Sequence, residues 1–128
     1  MVKKKSVRLL TELELEIMNA VWARGECTVK EVQDALSSTR ELAYTSVATV
    51  MKILQDKGVL QSKRGEKALA YKPVLSRADY EVRTLQHVTD NVFQGSPTSF
   101  VARLLEEADL SSDDLLAIRK LLNERLRS

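Results

Sequence analysis

The sequence predicts a mainly α-helical protein with one small β-hairpin. Apolar residues recur at the three- and four-residue spacing of a helix along most of the 128 residues. Ser or Thr followed three residues later by Glu or Asp, a pattern that caps helix N-termini, recurs between these segments. Residues 60–73 instead alternate with the two-residue period of a strand, so we expect a single hairpin there.

Each of the first two helices is expected to begin with a capping box. In the pairs Thr11 with Glu14 and Thr28 with Glu31, the hydroxyl and the carboxylate satisfy each other's free backbone donors. The first helix should end near Gly25. It carries two apolar stripes, Leu10, Leu13, Ile17 and Val21 on one side and Leu15, Met18 and Trp22 on the other. Such a helix is expected to pack on two sides. The second helix is short, and its inward residues are Val29, Val32 and Leu36.

The third helix, within "YTSVATVMKILQDKGVL" at residues 44–60, has two different faces. The apolar face, which fits a core, consists of Val47, Val50, Met51 and Leu54. The opposite face carries short hydrogen-bonding groups and a cation, namely Thr45, Ser46, Thr49 and Lys52. Gly58 can take the left-handed conformation that ends a helix. The hairpin then follows, with the turn "RGEK" and a basic tip of Lys63, Arg64 and Lys67.

The C-terminal part is expected to be helical again. Ser76 with Asp79, Ser96 with Pro97, and Ser111 with Asp114 mark the starts of three helices. Three short helices form a thin core alone, so we expect a second copy of the chain to cover their apolar faces. The residues expected in this homodimer contact are Val82, Leu85, Phe100, Leu104, Leu115, Ile118, Leu122 and Leu126. The alternative is a tail that folds back on the first helix. The predicted domains are residues 1–75 and 76–128.

Composition excludes several classes of protein. With 44% hydrophobic and 30% charged residues, the chain has the composition of a soluble globular protein. No apolar run is long enough to cross a membrane and no signal peptide is recognisable, so we expect a cytoplasmic protein without membrane insertion. Cys27 and His87 are too few to form a zinc site, so no metal or cofactor is expected. Cys27 is interpreted as a buried apolar residue or, alternatively, as a redox sensor. No catalytic constellation is visible, so the protein is not expected to be an enzyme.

The basic charge is concentrated in the first part of the chain. Residues 1–75 contain 13 Lys or Arg and 9 Asp or Glu, whereas residues 76–128 contain 7 and 9. Three helices followed by a basic hairpin is the order of elements in a winged helix-turn-helix, whose third helix enters the DNA major groove. The expected DNA-binding residues are Tyr44, Thr45, Ser46, Thr49, Lys52, Lys63, Arg64 and Lys67.

These assignments have alternatives. The polar residues of the third helix could form only a cap and a weakly polar surface, and the hairpin cations only a solvated turn. Lys3, Lys4, Lys5 and Arg8 fit a phosphate-binding arm or a solubilising end. A winged helix that binds protein instead of DNA would need an apolar patch on the third helix, for which Ile53 and Val59 are the candidates.

Four segments, "LTELELEIMNAVW", "TVKEV", "YTSVATVMKILQDKGVL" and "AYKPVLSRADY", in this order resemble the penicillinase repressor family of bacterial regulators. The resemblance covers residues 9–126. It implies a homodimeric repressor that binds double-stranded DNA at palindromic operators and keeps its dimer contacts in the C-terminal helices. The regulated genes that it implies serve β-lactam resistance or a stress response. The family's recognition helix corresponds to residues 44–57, and its wing to residues 63–67.

The resemblance also implies a route of release from DNA. In the best-known members, a membrane metalloprotease sensor acts indirectly, and the repressor is cut at an Asn-Phe bond in the penultimate helix. The corresponding bond here joins Arg103 and Leu104, so the sequence departs from the family at this point. Copper-responsive relatives bind metal through a C-terminal cysteine cluster, which is missing from "LLNERLRS".

Overall fold

The computed structural model describes residues 9–128, and these form six helices and three short strands. In chain order the elements are α1 (Glu12–Arg24), β1 (Cys27–Thr28), α2 (Val29–Leu36), α3 (Tyr44–Asp56), β2 (Leu60–Arg64), β3 (Leu69–Pro73), α4 (Arg77–Asn91), α5 (Pro97–Glu107) and α6 (Ser112–Arg127). The predicted fold class is confirmed. The basic residues between positions 3 and 8 lie outside the described part of the chain.

The chain divides into two compact units, one ending at Leu85 and the other comprising Gln86–Ser128. The division falls inside α4, ten residues beyond the predicted boundary between positions 75 and 76. No helix in the described part of the chain has the length and hydrophobicity needed to cross a membrane.

Local sequence signals set the helix ends where they were predicted. The capping boxes of α1 and α2 are complete, with Thr11 and Thr28 each accepting a hydrogen bond from the amide three residues on. After α3, Gly58 has φ +80°, and the amide of Val59 donates to the carbonyl oxygen of Leu54 at 2.9 Å. Gly58 itself donates to Gln55 at 3.0 Å, which completes a Schellman motif. This motif turns the chain from α3 into β2.

The three strands form one antiparallel sheet in the order β1-β3-β2. Strands β2 and β3 are the predicted hairpin, paired from Leu60 with Pro73 to Arg64 with Leu69. Strand β1 was not predicted, because two residues are too few for a period of two to be visible. It pairs Cys27 with Tyr71 and so joins the α1–α2 junction to the hairpin.

The core of the first unit lies between α1, α2, α3 and the sheet. Its fully buried side chains include Ile17, Met18 and Val21 of α1, Val32 of α2, and Val47, Met51 and Leu54 of α3. Leu60 and Tyr71 close it from the sheet. Val50, predicted to belong to the apolar face of α3, is partly buried at its edge.

Cys27 is a buried free thiol, as the apolar interpretation predicted. Burial, with a smaller contribution from the nearby carboxylates of Glu31 and Glu26, raises the pKa of this thiol to about 11. The protonated thiol is therefore the form present at neutral pH.

The second unit consists of the end of α4 with α5 and α6. Ser96 caps α5, whose first residue is Pro97, and Ser111 forms a capping box with Asp114 at α6, as predicted. Phe93 and Phe100 pack edge to face, with ring centroids 5.3 Å apart. Neither α5 nor α6 contains a buried residue.

Candidate nucleic-acid interface

Helix α3 is held on α1 by charged contacts near both of its ends. Ahead of α3, the guanidinium of Arg40 lies 2.8 Å from the carboxylate of Glu16 and 3.6 Å from that of Glu12. Behind it, the ammonium of Lys57 lies 2.7 Å from the carboxylate of Glu14. The apolar face of α3 packs between these two attachments, so the position of its opposite face is fixed.

Glu14 is a buried acid that remains ionised. Burial by itself raises the pKa of its carboxyl group, but hydrogen bonds from Lys57 and from the backbone and hydroxyl of Thr11 outweigh that effect. The pKa is therefore lowered below its ordinary value. The same carboxylate completes the capping box of α1 and anchors the end of α3.

The predicted polar face of α3 is exposed. Thr45, Ser46, Thr49 and Lys52 all point away from the core, and Tyr44 is half exposed at the first turn. Lys52 forms an ion pair at 3.2 Å with Asp56 one turn later, but both groups are well exposed. Exposed pairs of this kind are weak, so Lys52 can exchange its partner for a phosphate.

The N-terminus of α3 has no side-chain cap. Its N-cap residue is Ala43, whereas hydroxyl groups fill this position at the starts of α1, α2, α4, α5 and α6. The amides of Ser46 and Val47 donate to the carbonyl oxygen of Ala43, at 3.0 and 3.2 Å. The amides of Tyr44 and Thr45 form no hydrogen bond to another residue in the range 9–128, so they can donate to an external acceptor such as a phosphate oxygen. The alternative in which Thr45 and Ser46 serve as the cap does not match this geometry.

The tip of the hairpin is a compact basic turn. The amide of Gly65 donates to the carbonyl oxygen of Ala68 at 3.0 Å, and a Cβ at Gly65 would lie 2.6 Å from that oxygen. Lys63, Arg64 and Lys67 are exposed, and none of them forms an ion pair with another residue in the range 9–128. Their charges are available to an anionic partner.

The residues predicted for dimerisation are mostly exposed in the single chain. Val82 and Leu85 of α4, Leu104 of α5, and Leu115, Leu122 and Leu126 of α6 are each more than 40% exposed. Phe100 and Ile118 are intermediate. An open apolar hollow of about 350 Å³ on the second unit is lined by Phe93, Phe100, Arg103, Leu104, Glu107 and Ala108.

The predicted cleavage position lies within α5. Arg103 and Leu104 are both exposed, and the Arg103 guanidinium lies 3.9 Å from the carboxylate of Glu107.

Three structural features of the first unit are not predicted from the sequence. Ala43 gave no signal, since an alanine before a helix is recognisable as an absent cap only once the helix start is known. Arg40 lies in the loop between α2 and α3, where no periodic pattern indicates its ion pairs with α1. Tyr80 was not recognised as a buried residue of α4, although it is only 8% exposed.

The fold and surface together define a winged helix-turn-helix: α2 and α3 joined by a short turn, followed by the hairpin β2–β3 as the wing. Residues 10–124 match the model of the penicillinase repressor family. The chain therefore belongs to the penicillinase repressor family.

Individual relatives agree with this membership. The chain is 34% identical over 120 residues to the transcriptional regulator BlaI of Mycobacterium tuberculosis, covering 90% of this chain and 83% of that protein. It is 23% identical over 116 residues to the methicillin resistance regulatory protein MecI of Mammaliicoccus sciuri, covering 91% and 94%. Monomeric BlaI of Bacillus licheniformis, solved in complex with the blaP half-operator, is 27% identical with a TM-score of 0.51, covering 61% of this chain and 94% of that one.

Proposed function

We propose that the chain is a homodimeric transcriptional repressor that binds palindromic operators. The observation that carries the proposal is that α3 has one buried apolar face and one exposed polar face. One side is buried through Val47, Met51 and Leu54, and the other presents short polar groups beside an uncapped N-terminus. Family membership and the BlaI relative solved on a half-operator support the same function.

The proposed complex places α3 of each subunit in a major groove, which is about 12 Å wide. Thr45, Ser46 and Thr49 contact base edges and neighbouring phosphates, and a Thr methyl group can also contact a thymine methyl. Tyr44 positions the helix start. Lys52 binds a phosphate or a guanine, and the wing cations bind the flanking backbone.

Two subunits are needed to bind a palindrome. The recognition helices of a symmetric dimer must lie about 34 Å apart to enter successive major grooves on one side of the duplex. The exposed apolar side chains of α4, α5 and α6 supply a surface that a second copy can bury. We therefore assign dimerisation to these helices.

The protein-binding alternative is weakened by the position of Val59. This residue was one of two candidates for an apolar patch on α3, but it follows the end of the helix and belongs to the core, at 9% exposure. Of these two candidates, Ile53 remains exposed, at 41%. A single exposed apolar residue is ordinary on a protein surface.

A gel-shift assay on the promoter region of the gene's own operon, at two salt concentrations, tests the proposal. We expect binding that weakens steeply with salt, because Lys and Arg displace counterions from phosphates. Failure to bind any segment of that region in low salt would contradict it.

Two variants test whether α3 and the wing have different roles in DNA binding. Arg64→Ala should lower the affinity for all operator variants by a similar factor, whereas Ser46→Ala should change their ranking. Fluorescence anisotropy on a panel of single-base operator variants measures both effects. Equal behaviour of the two variants would contradict the division of roles.

The finer proposal is release by a signal passed from a membrane metalloprotease sensor. Cells exposed to a β-lactam should then contain a repressor fragment ending near Arg103, detectable by mass spectrometry. Induced transcription with an intact chain would instead indicate release without proteolysis.

A further inference from the structure

The junction between the wing and α4 is fastened to α1 by an aromatic cluster. The indole nitrogen of Trp22 donates to the carbonyl oxygen of Leu75 at 2.9 Å. The guanidinium of Arg77 lies 5.0 Å from the centre of the Trp22 ring, a cation–π distance. We call Trp22, Arg77 and Tyr80, with the backbone of Leu10 and Leu75, the Trp22 clamp.

Tyr80 connects the clamp to the start of α1. Its ring centroid lies 5.8 Å from that of Trp22 at a tilt of 36°, and its hydroxyl oxygen accepts a hydrogen bond from the amide of Leu10 at 3.0 Å. Tyr80 is the only buried residue of α4. The later apolar residues Val82 and Leu85 are about half exposed in the single chain, so the first turns of α4 carry its attachment to the first unit.

Helix α1 thus holds two elements with different tasks. Through Glu16 it holds the loop ahead of α3, and through Glu14 it holds the residue that follows α3. Trp22 of α1, together with Leu10 just ahead of the helix, holds the start of α4. Helix α4 leads directly from the winged unit into the proposed dimer segment. Any rotation of the start of α4 against α1 would therefore change the separation and angle of the two recognition helices of a dimer.

We infer that Trp22, Arg77 and Tyr80 are positioning residues that set which half-site spacing the dimer accepts. The inference rests on the proposed function, and it adds a determinant of operator choice that contacts no base. With an intact clamp, the dimer binds a palindrome of the wrong half-site spacing much more weakly than one of the native spacing. With a loosened clamp, each subunit can adjust to its own half-site, so this difference in affinity becomes smaller.

The test compares Arg77→Ala with the matched control Arg83→Ala. Both substitutions remove one exposed guanidinium from α4, but only Arg77 contacts Trp22. The probes are the footprinted palindrome from the promoter of the gene's own operon, the same duplex with one or two base pairs inserted between its halves, and one isolated half-site. Tyr80→Phe, which keeps the ring and removes the acceptor for Leu10, is the second variant.

Fluorescence anisotropy should show half-site affinities of Arg77→Ala and Arg83→Ala that are equal within about twofold. The affinity ratio between the native and the inserted spacing should fall by about two- to fivefold in Arg77→Ala and Tyr80→Phe, the factor expected for losing one such contact. It should not change in Arg83→Ala. Equal ratios in all variants, or an equal loss on every duplex, would overturn the inference. Absence of binding by the unmodified protein would instead contradict the proposed function.

Trp22 provides an independent readout, because it is the only tryptophan of the chain. Acrylamide should quench its fluorescence more strongly in Arg77→Ala than in Arg83→Ala, since the guanidinium covers the indole. Equal quenching in the two variants would show that the clamp does not form in solution.

Discussion

Capping α3 should make the protein more stable and a weaker DNA binder. Ala43 occupies the N-cap position with φ −68° and ψ 148°, the extended conformation that a capping residue adopts. Serine or asparagine at this position can accept a hydrogen bond from a first-turn amide without changing the backbone. We expect Ala43→Ser and Ala43→Asn to raise the free energy of unfolding by about 0.5–2 kcal/mol.

The same hydrogen bond competes with DNA for those amides. An amide–phosphate hydrogen bond involves a charged group and contributes about 1.5 kcal/mol or more, so its loss lowers affinity roughly tenfold. Ala43→Asp should stabilise the fold further through the helix dipole, by about 0.3–1 kcal/mol, and weaken DNA binding more, because its charge faces the phosphates.

Urea unfolding and fluorescence anisotropy on a half-site duplex measure the two effects. A half-site keeps the result independent of dimerisation. Ser96→Ala is the control, since it removes the cap of α5 and should reduce stability while leaving half-site affinity unchanged. If the capped variants are stabilised and bind the half-site as tightly as the unmodified protein, the N-terminus of α3 is not a phosphate site.

Three further predictions concern stability and assembly. Glu14→Gln should lower the free energy of unfolding at pH 7 by about 1–3 kcal/mol, because Lys57 loses its ionised partner. The folded-state pKa of Glu14 is lowered, so this stabilisation is present above the ordinary pKa of 4.5 and is lost as the pH falls through the folded value. Urea unfolding in which Glu14→Gln and the unmodified protein differ in stability by the same amount at pH 7 and at pH 3 would contradict this prediction. Leu122→Asp should raise the dimer dissociation constant at least about 100-fold, because a symmetric dimer loses the apolar contact of Leu122 twice. Light scattering should then show monomers for Leu122→Asp and dimers for the control Lys120→Asp. A dimeric Leu122→Asp would place the interface elsewhere. Cys27 should resist a thiol reagent at pH 8 in the native protein and react in urea, since burial raises its pKa to about 11; rapid native labelling would favour the redox-sensor interpretation.

The first unit was largely predictable because its signals are local. Thr11 with Glu14 fixes a helix start within one turn, and Gly58 fixes a helix end within two residues. The faces of α3 could be separated because one core covers most of the apolar side, with Val50 at its edge. These features need no knowledge of distant parts of the chain.

The features that could not be predicted depend on distant residues. The pairing of Cys27 with Tyr71 is a long-range contact that leaves no periodicity in sequence. In α4 the apolar pattern predicts a face containing Val82 and Leu85 that a second copy covers, but it does not indicate the buried position of Tyr80, which depends on contacts with Trp22 and Leu10. A hydrophobic pattern shows that a face is to be covered, but it does not show which chain covers it. The dimerisation assignment stays a prediction for this reason. The DNA-binding assignment also stays a prediction, because it too concerns a partner of the chain.

The small strand β1 has a consequence for how the first unit opens. Its pairing with β3 at Cys27 and Tyr71 ties the α1–α2 junction to the hairpin, and both side chains belong to the core. Amide hydrogens in this pairing should exchange with solvent only when the whole unit unfolds, whereas those near Gly65 at the wing tip should exchange through local fluctuations. In the proposed complex, the wing tip can then adapt to the DNA backbone while the core of the first unit stays closed.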